Sequence, residues 1–373
     1  MTIAINTRIL SGNTAISKIL IDYFIIIAAN NPEHEFIFIT EKDFTKANNT
    51  AKNIKKIVLP QQSNNPLLWK LWYNYKLPAV LKKYKAAVLI TADGVCLRTK
   101  VPQCLLINDL AFLHHPEWYP QKYGRFMKSN MPAFLNKAKN IVTFSYQLKN
   151  EIVTKYKVSE HKIMVLNTVT NKSYQPVEWD AREPVKEKYA EGKEYFLFNG
   201  AIHQSSSLVN LLKAFSLFKK RQKSNMQLII ATNNIPDKDP FVESLKLYKY
   251  RNDIKLLAAL DEAALQNITA AAYACINLSP LYMDIAGLLN AMQCEVPVIA
   301  NNTGVATEIL GGAALYISPS NIDSIAEKLM LVYKDENRRK ELIQKGLQQS
   351  AKYNANENAG QLWQNIFATI ECP

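Results

Sequence analysis

Glycine is scarce in this chain: 11 residues of 373, about 3%, against a usual share of about 7%. Glycine-rich turns let backbone amides close on phosphate groups, so the shortage speaks against a site assembled from several such turns. Cysteine is also sparse. The five residues, Cys96, Cys104, Cys275, Cys294 and Cys372, are odd in number and none is at CxxC spacing. With only five scattered histidines, no zinc pattern and no disulfide framework emerges. The picture suits a reducing cytoplasm. Long hydrophobic runs are missing too. The longest, Tyr23 to Ala29, falls far short of the ~20 residues that span a bilayer. The opening MTIAINTRIL lacks the basic start, apolar core and cleavage site of a leader. The expectation is a cytoplasmic protein, neither secreted nor integral to a membrane.

What is present is an ordinary globular composition, 48% apolar and 21% charged. It can bury two sizeable cores and excludes disorder over most of the length. Net charge is +13 and unevenly placed. Residues 1–180 carry 24 basic and 12 acidic side chains, a net of +12, and residues 181–373 carry 21 and 20, a net of +1. A cationic half favours an anionic partner, whether membrane surface, polyphosphate or nucleic acid. A lysine-rich solvated surface is the plainer alternative.

Short apolar runs read as buried parallel strands. In the first half they fall at 3–5, 35–40, 54–59, 86–91, 103–107, 140–144 and 162–166. Helical segments lie between them at 14–29, 67–84, 121–137 and 145–156, with Ser145 and Ser159 as N-caps. The second half restarts the rhythm, with strands at 195–199, 227–232, 254–258, 274–278, 298–300 and 314–317. Its helices fit 206–223, 239–249, 261–272, 286–293, 321–333, 335–352 and 356–370. Two βαβ runs in series predict two doubly wound α/β domains, 1–175 and 176–355. The join, Asn171 to Lys193, is polar and carries Pro176 and Pro184. Ligands of such sheets sit beyond the carboxyl ends of the strands, so the loops after Ile5, Ile107, Asn199, Ser279 and Ala300 matter most.

Six stretches, in order, carry a family resemblance. They are IAINTRILSGNTAISKIL at the N-terminus, LINDLAFLHHPEWYP at 106–120, AKNIVTFSYQLKNEIVTKYKVSEHKIMVL at 138–166, YFLFNGAIHQSSSLVNLLKAF at 195–215, LYMDIAGLLNAMQCEVPVIANNTGVATEILGGAALYISP at 281–319, and the closing helices. The chain resembles the retaining glycosyltransferases of the GT-B fold, family 4. The resemblance implies two Rossmann-like domains facing across a cleft, an acceptor-side N-terminal domain, a donor-side C-terminal domain, and a last helix, 356–373, that crosses back to the first. It implies a nucleotide-sugar substrate, with no metal and no cofactor.

Charge builds on the diphosphate leaving group of such a donor, and a competent site meets it with hydrogen-bond donors and cations. The family places an Arg and a Lys in G-x-x-x-x-R-K-N-L. Here Gly200 and Leu208 match, and Ser205 and Ser206 replace the two cations. In the family's E-G-F-G-L-P-x-L-E, the first acid contacts the sugar and the last the ribose. The matching positions run from Tyr282 through Met283, Asp284, Ile285, Ala286 and Gly287 to Asn290, so Tyr282 and Asn290 replace the two acids. Asp284 falls in the turn that would face the diphosphate and would repel it unless turned away or paired with a cation; it is alternatively a helix cap. The family's H-D-L triplet reads Asn108, Asp109, Leu110, without the imidazole. His115-Pro116-Glu117 follows the family frame in a structural role. The G-x-G turn after the first strand keeps one glycine, Gly12, followed by Asn13 on the acceptor-side loop. Glu308 survives as an acid of the donor-side loop behind Thr303 and Gly304.

Residues 66–85, PLLWKLWYNYKLPAVLKKYK, hold five lysines, two Trp, three Tyr and no acid. Lysines with Trp and Tyr suit a bilayer interface, with Lys70, Lys76, Lys82 and Lys83 toward anionic lipid. A core-packed helix with a basic outer edge is the alternative. No nucleic-acid motif accompanies the charge, so no nucleic-acid partner is expected. Two readings follow. One is a retaining, metal-independent hexosyl-type transferase with a weakened or altered donor site. It would serve a cell-surface glycan or lipid-linked acceptor at the inner membrane face. The other is a GT-B-fold protein without catalysis, binding or partnering a glycosyltransferase subunit.

Overall fold

A computed structural model describes residues 1–8, 15–40, 51–59, 66–92, 94–167, 170–203, 206–237, 239–353 and 355–371. The chain divides into two units, Met1–Val169 with Asn354–Pro373, and Thr170–Tyr353.

The first unit is built on strands β1 (Thr2–Asn6), β2 (Glu35–Thr40), β3 (Ile54–Val58), β4 (Ala86–Thr91), β5 (Gln103–Ile107), β6 (Asn140–Thr143) and β7 (Ile163–Val165). They form one parallel sheet in the order β3-β2-β1-β4-β5-β6-β7. Runs such as FIFI and CLLI are buried at every position, as expected of strands covered on both faces. Strand order reverses between β1 and β4, where Asn6 lies opposite Thr91.

The second unit repeats the plan with β8 (Tyr195–Asn199), β9 (Gln227–Thr232), β10 (Ile254–Ala258), β11 (Ala274–Asn277), β12 (Val298–Asn301) and β13 (Ala314–Ile317). Its parallel order is β10-β9-β8-β11-β12-β13, with the reversal between β8 and β11. Each unit has its own core, one around Trp69, Trp72, Leu105 and Met131, the other around Phe196, Phe215, Phe218 and Leu329.

The expected boundary at 175 moves to 169/170. Residues just after the break are tied into the second unit: the Asn171 N–H donates to Asn290 Oδ1 at 3.0 Å, and Gln266 Nε2 donates to Ser173 Oγ at 2.7 Å. The last helix, Ala355–Glu371, is part of the first unit. Leu362 and Ile366 are fully buried there, and Asn140 Nδ2 donates to the Asn365 carbonyl and to Thr369 Oγ1.

Three local expectations need correction. The polar join holds a helix, Trp179–Ala190, with Pro184 inside it. A single proline removes one helical hydrogen bond; two residues on stands Lys186. It is buried, its Nζ lies 2.9 Å from Glu183 and 2.6 Å from Glu194, and it sits 4.6 Å from the centre of the Trp179 ring. The basic helix of 67–84 is three pieces: Pro66–Leu71, a wide π turn Trp72–Lys76, and Leu77–Lys83. The widened turn lies directly ahead of Pro78, whose ring would press on the Asn74 carbonyl in a regular helix. Finally, Ser145 caps the helix Tyr146–Tyr156 by accepting from the Leu148 N–H, whereas Ser159 precedes only a short 3-10 turn and makes no side-chain cap bond.

Candidate functional site

In the second unit the carboxyl edge at the β8/β11 reversal gathers most of the family positions. Gly200 follows β8, and a Cβ there would come 3.1 Å from Phe198 Cζ and 3.4 Å from Asn277 Nδ2, so any larger residue would crowd the Phe198 ring. Ser205 lies outside the described residues. Ser206 is buried, and its hydroxyl donates to the Ala201 carbonyl at 2.6 Å. Ser207 is the N-cap of the helix Leu208–Gln222, in a left-handed conformation (φ 51°) and without a side-chain cap bond.

Beyond β11, Asn277 Oδ1 accepts from the Ser279 N–H at 2.8 Å, and Ser279 Oγ accepts from the Leu281 N–H at 3.2 Å. The following helix starts at Tyr282, four residues earlier than the sequence suggests, and Leu281 is its N-cap. Asp284 is therefore inside the first turn and does not cap the helix. Its carboxyl is held by the Ser279 hydroxyl and feels His203. Burial is the larger effect and raises it above the usual carboxylate range. The amides of Asp284 and Ile285 both donate to the Leu281 carbonyl at 3.2 Å. The Tyr282, Ile285 and Ala286 side chains are buried.

Asn290 Oδ1 is taken by the Asn171 N–H, and Asn171 Nδ2 reaches Glu262 Oε1 at 3.1 Å. Glu308 is on the helix Gly304–Leu310, which Thr303 caps by accepting from Ala306. Its charge reaches Tyr353, whose hydroxyl donates to the Ile309 carbonyl at 2.8 Å. A cavity of about 20 Å³, lined by Tyr174, Asn199, Asp284 and Gly287 among others, has room for about one water. The polar side chains of this edge are thus largely bonded to their own unit.

In the first unit Asn108 and Asp109 follow β5. Asp109 accepts from the Ala111 N–H at 2.9 Å and the Tyr119 hydroxyl at 2.8 Å through Oδ1, and from Asn108 Nδ2 at 3.0 Å through Oδ2. Burial raises its carboxyl above the usual range, and these three hydrogen bonds oppose that effect. Burial, with the Asp109 charge behind it, pushes the Tyr119 phenol well up. Asp109 is an anchor for the turn Ala111–His114 and for Tyr119. His114 pairs with Glu151 at 2.6 Å on the surface, and His115 stacks on Trp118 at 3.9 Å. Gly12 and Asn13 lie outside the described residues.

The basic aromatic segment corrects one expectation. Trp69, Trp72 and Tyr73 are buried in the core, and Trp69 packs edge-on against Phe126. They do not reach a bilayer surface. The outward face carries Lys76, Lys82 and Lys83, with Leu68, Leu71 and Tyr75 exposed at 43%, 47% and 70%. The Lys70 side chain is outside the described residues. No helix among the described residues is long and apolar enough to cross a membrane.

Sequence reasoning missed Arg8. It follows β1 by two residues and is buried, with its guanidinium carbon 4.7 Å from the centre of the Trp72 ring and 5.4 Å from that of Tyr73. A cation just past the first strand of a doubly wound sheet was the available signal.

Comparison with known proteins places this geometry. Residues 180–349 match the family glycosyl transferases group 1, a stretch inside the second unit. Over 249 residues the chain is 24% identical to O-antigen chain mannosyltransferase B of Escherichia coli, covering 66% of this chain and 65% of that protein. The match thus spans just under two thirds of that relative's length. Among solved structures, WaaG, a glycosyltransferase involved in lipopolysaccharide biosynthesis, superposes with a TM-score of 0.75 at 13% identity, covering 98% of this chain and 99% of that one. HepE of Anabaena, in complex with UDP and glucose, gives a TM-score of 0.77 at 12% identity, covering 99% and 100%. The fold is that of the two-domain GT-B glycosyltransferases.

Proposed function

We propose that the protein is a glycosyltransferase of cell-surface glycan assembly in which use of a nucleotide sugar is weakened. The second unit takes the donor and the first the acceptor, with retention at the anomeric carbon and without metal or cofactor. The observation that carries the weakening is the internal bonding of the β8/β11 edge: Ser206 to Ala201, Asn290 to Asn171, Asp284 to Ser279. A diphosphate leaving group needs cations and free amides, and these positions offer neither. The E. coli relative is named for O-antigen mannose transfer and WaaG for lipopolysaccharide, which supports a lipid-linked glycan as acceptor. A peripheral position on an anionic membrane fits that acceptor, with Lys76, Lys82 and Lys83 toward the lipid. A catalytically inactive partner subunit is the second reading. It is favoured by Ser206, Tyr282 and Asn290 standing where the family holds charges.

Thermal melts against UDP-, GDP-, ADP- and CMP-sugars, GDP-mannose included, test the proposal, because binding raises the melting temperature by mass action. Wild type should shift weakly or not at all. The variant with Ser205→Arg, Ser206→Lys, Tyr282→Glu, Asn290→Glu and Asp284→Phe should shift more. Turnover of a nucleotide sugar by wild type at about 1 s⁻¹ or faster, an ordinary enzyme rate, would overturn the weakened-donor reading and assign the sugar contacts to other groups such as Glu308 and His203.

A further inference from the structure

The carboxyl edge of the first sheet holds a surplus of hydrogen-bond donors. Asn6, Thr40 and Thr91 end β1, β2 and β4, and all three are buried. Asn6 turns its Oδ1 to the Arg8 N–H at 3.3 Å, which fixes its amide NH2 on the other side. That NH2, the Thr40 and Thr91 hydroxyls, the Trp72 indole N–H and the Tyr73 hydroxyl are all buried with no hydrogen-bond partner among the described residues. Native proteins seldom leave buried polar groups unmatched, and a group of them calls for an account.

Apart from Thr40, which follows the register partner of Asn6 and so faces the other side of the sheet, the orphans are not scattered. Asn6 and Thr91 are register partners at the β1/β4 reversal, the point where doubly wound sheets bind ligands. Trp72 and Tyr73, edge to face with centres 4.9 Å apart, are both brought over the Arg8 guanidinium. They belong to the π turn, a type of irregularity frequent at functional sites. Indole N–H and amide NH2 can only donate, hydroxyls can donate, and the guanidinium adds positive charge. The complement of that set is a group that is all acceptor and negatively charged.

We infer that this edge binds a phosphate group, with Arg8 supplying charge and Asn6, Trp72, Tyr73 and Thr91 supplying donors. The inference rests on the proposed function and names what the first unit recognises in the acceptor: the phosphate joining a glycan to its lipid, or the phosphate of a soluble phosphorylated sugar.

The test uses the full chain, inorganic pyrophosphate as the soluble probe, and phosphatidylcholine vesicles with and without phosphatidic acid. Tyr73→Phe and Thr91→Val each delete one orphan hydroxyl and keep the shape. Without pyrophosphate both should melt at or above wild type, since an unmatched buried group is removed. In calorimetric titration each should bind pyrophosphate about tenfold more weakly, the scale of one hydrogen bond to a charged group. Arg8→Gln should abolish binding. Soluble binding lost in Arg8→Gln supports the inference and assigns a free phosphate. Arg8-dependent binding confined to phosphatidic acid vesicles supports it and assigns the lipid. Pyrophosphate and vesicle binding that ignore Arg8, Tyr73 and Thr91 overturn it, as does a lowered melting temperature in Tyr73→Phe with unchanged affinity. A chain that turns over a nucleotide sugar while showing either overturning result sinks this inference and leaves glycosyl transfer standing. Failure of every donor assay with Arg8-dependent phosphate binding intact does the reverse.

Discussion

Asn290 separates a family role from a local one. In the family pattern its position holds the donor ribose. In the structure its Oδ1 accepts from the Asn171 N–H at 3.0 Å, and the Asn171 side chain continues to Glu262 at 3.1 Å. Asn290→Ala removes the acceptor and leaves that backbone donor without its partner. Both residues are partly exposed, so water replaces some of the loss. The cost sits near the ordinary net value of one hydrogen bond, about 1 kcal/mol, below the full penalty for a dry orphan. For a unit of this size about 1 kcal/mol lowers the melting temperature by roughly 2–4 °C. The assay is a pair of melts, with and without saturating UDP or GDP. The variant should melt lower in both, with an unchanged nucleotide increment. An unchanged melting temperature combined with a lost nucleotide increment would refute the reasoning and return Asn290 to the ribose.

The strands were legible in the sequence because a parallel strand buried on both faces leaves a contiguous apolar run, as in Phe36–Ile39 or Leu228–Ala231. What escaped had no such signature. Composition placed Trp69 and Trp72 on a basic amphipathic helix but could not say which way the rings face, and packing on Phe126 settled it inward. The helix Trp179–Ala190 was hidden by Pro184 and by a buried lysine whose stabilisation comes from Glu194, outside the helix. The commitment of Asn290 depends on a backbone donor 119 residues away. The donors around Arg8 come from β1, β4 and the π turn, and only the sheet order brings them to one edge. Motif matching found the family positions at the second unit's edge; it could not see that the polar atoms of Ser206, Asp284 and Asn290 were already used.

Two further outcomes follow. Replacing Lys76, Lys82 and Lys83 by Glu should abolish binding to vesicles of anionic lipid, and wild-type binding should weaken as salt rises, since exposed charges are screened within about 10 Å at 0.1 M salt; sedimentation with vesicles checks it, and binding indifferent to lipid charge and salt sinks it. Asp284 gives a pH dependence with a definite sign. Its carboxyl is raised in the folded chain, chiefly by burial, with the Ser279 hydroxyl and His203 opposing. A group raised on folding favours the fold in its neutral form. Its contribution is fully present below the usual carboxylate range and is lost as pH rises through the higher folded value. Asn keeps the shape and a hydrogen bond to Ser279 but never ionises. Asp284→Asn should therefore match wild type in acid and exceed it at neutral pH, the gap opening between the usual carboxylate range and the raised value. Urea unfolding across that window measures the gap. A variant that falls further below wild type as pH rises through the usual carboxylate range would mean that Asp284 is held as a carboxylate by a partner stronger than Ser279 and His203. The edge of the second unit would then have kept a cation for an anion after all.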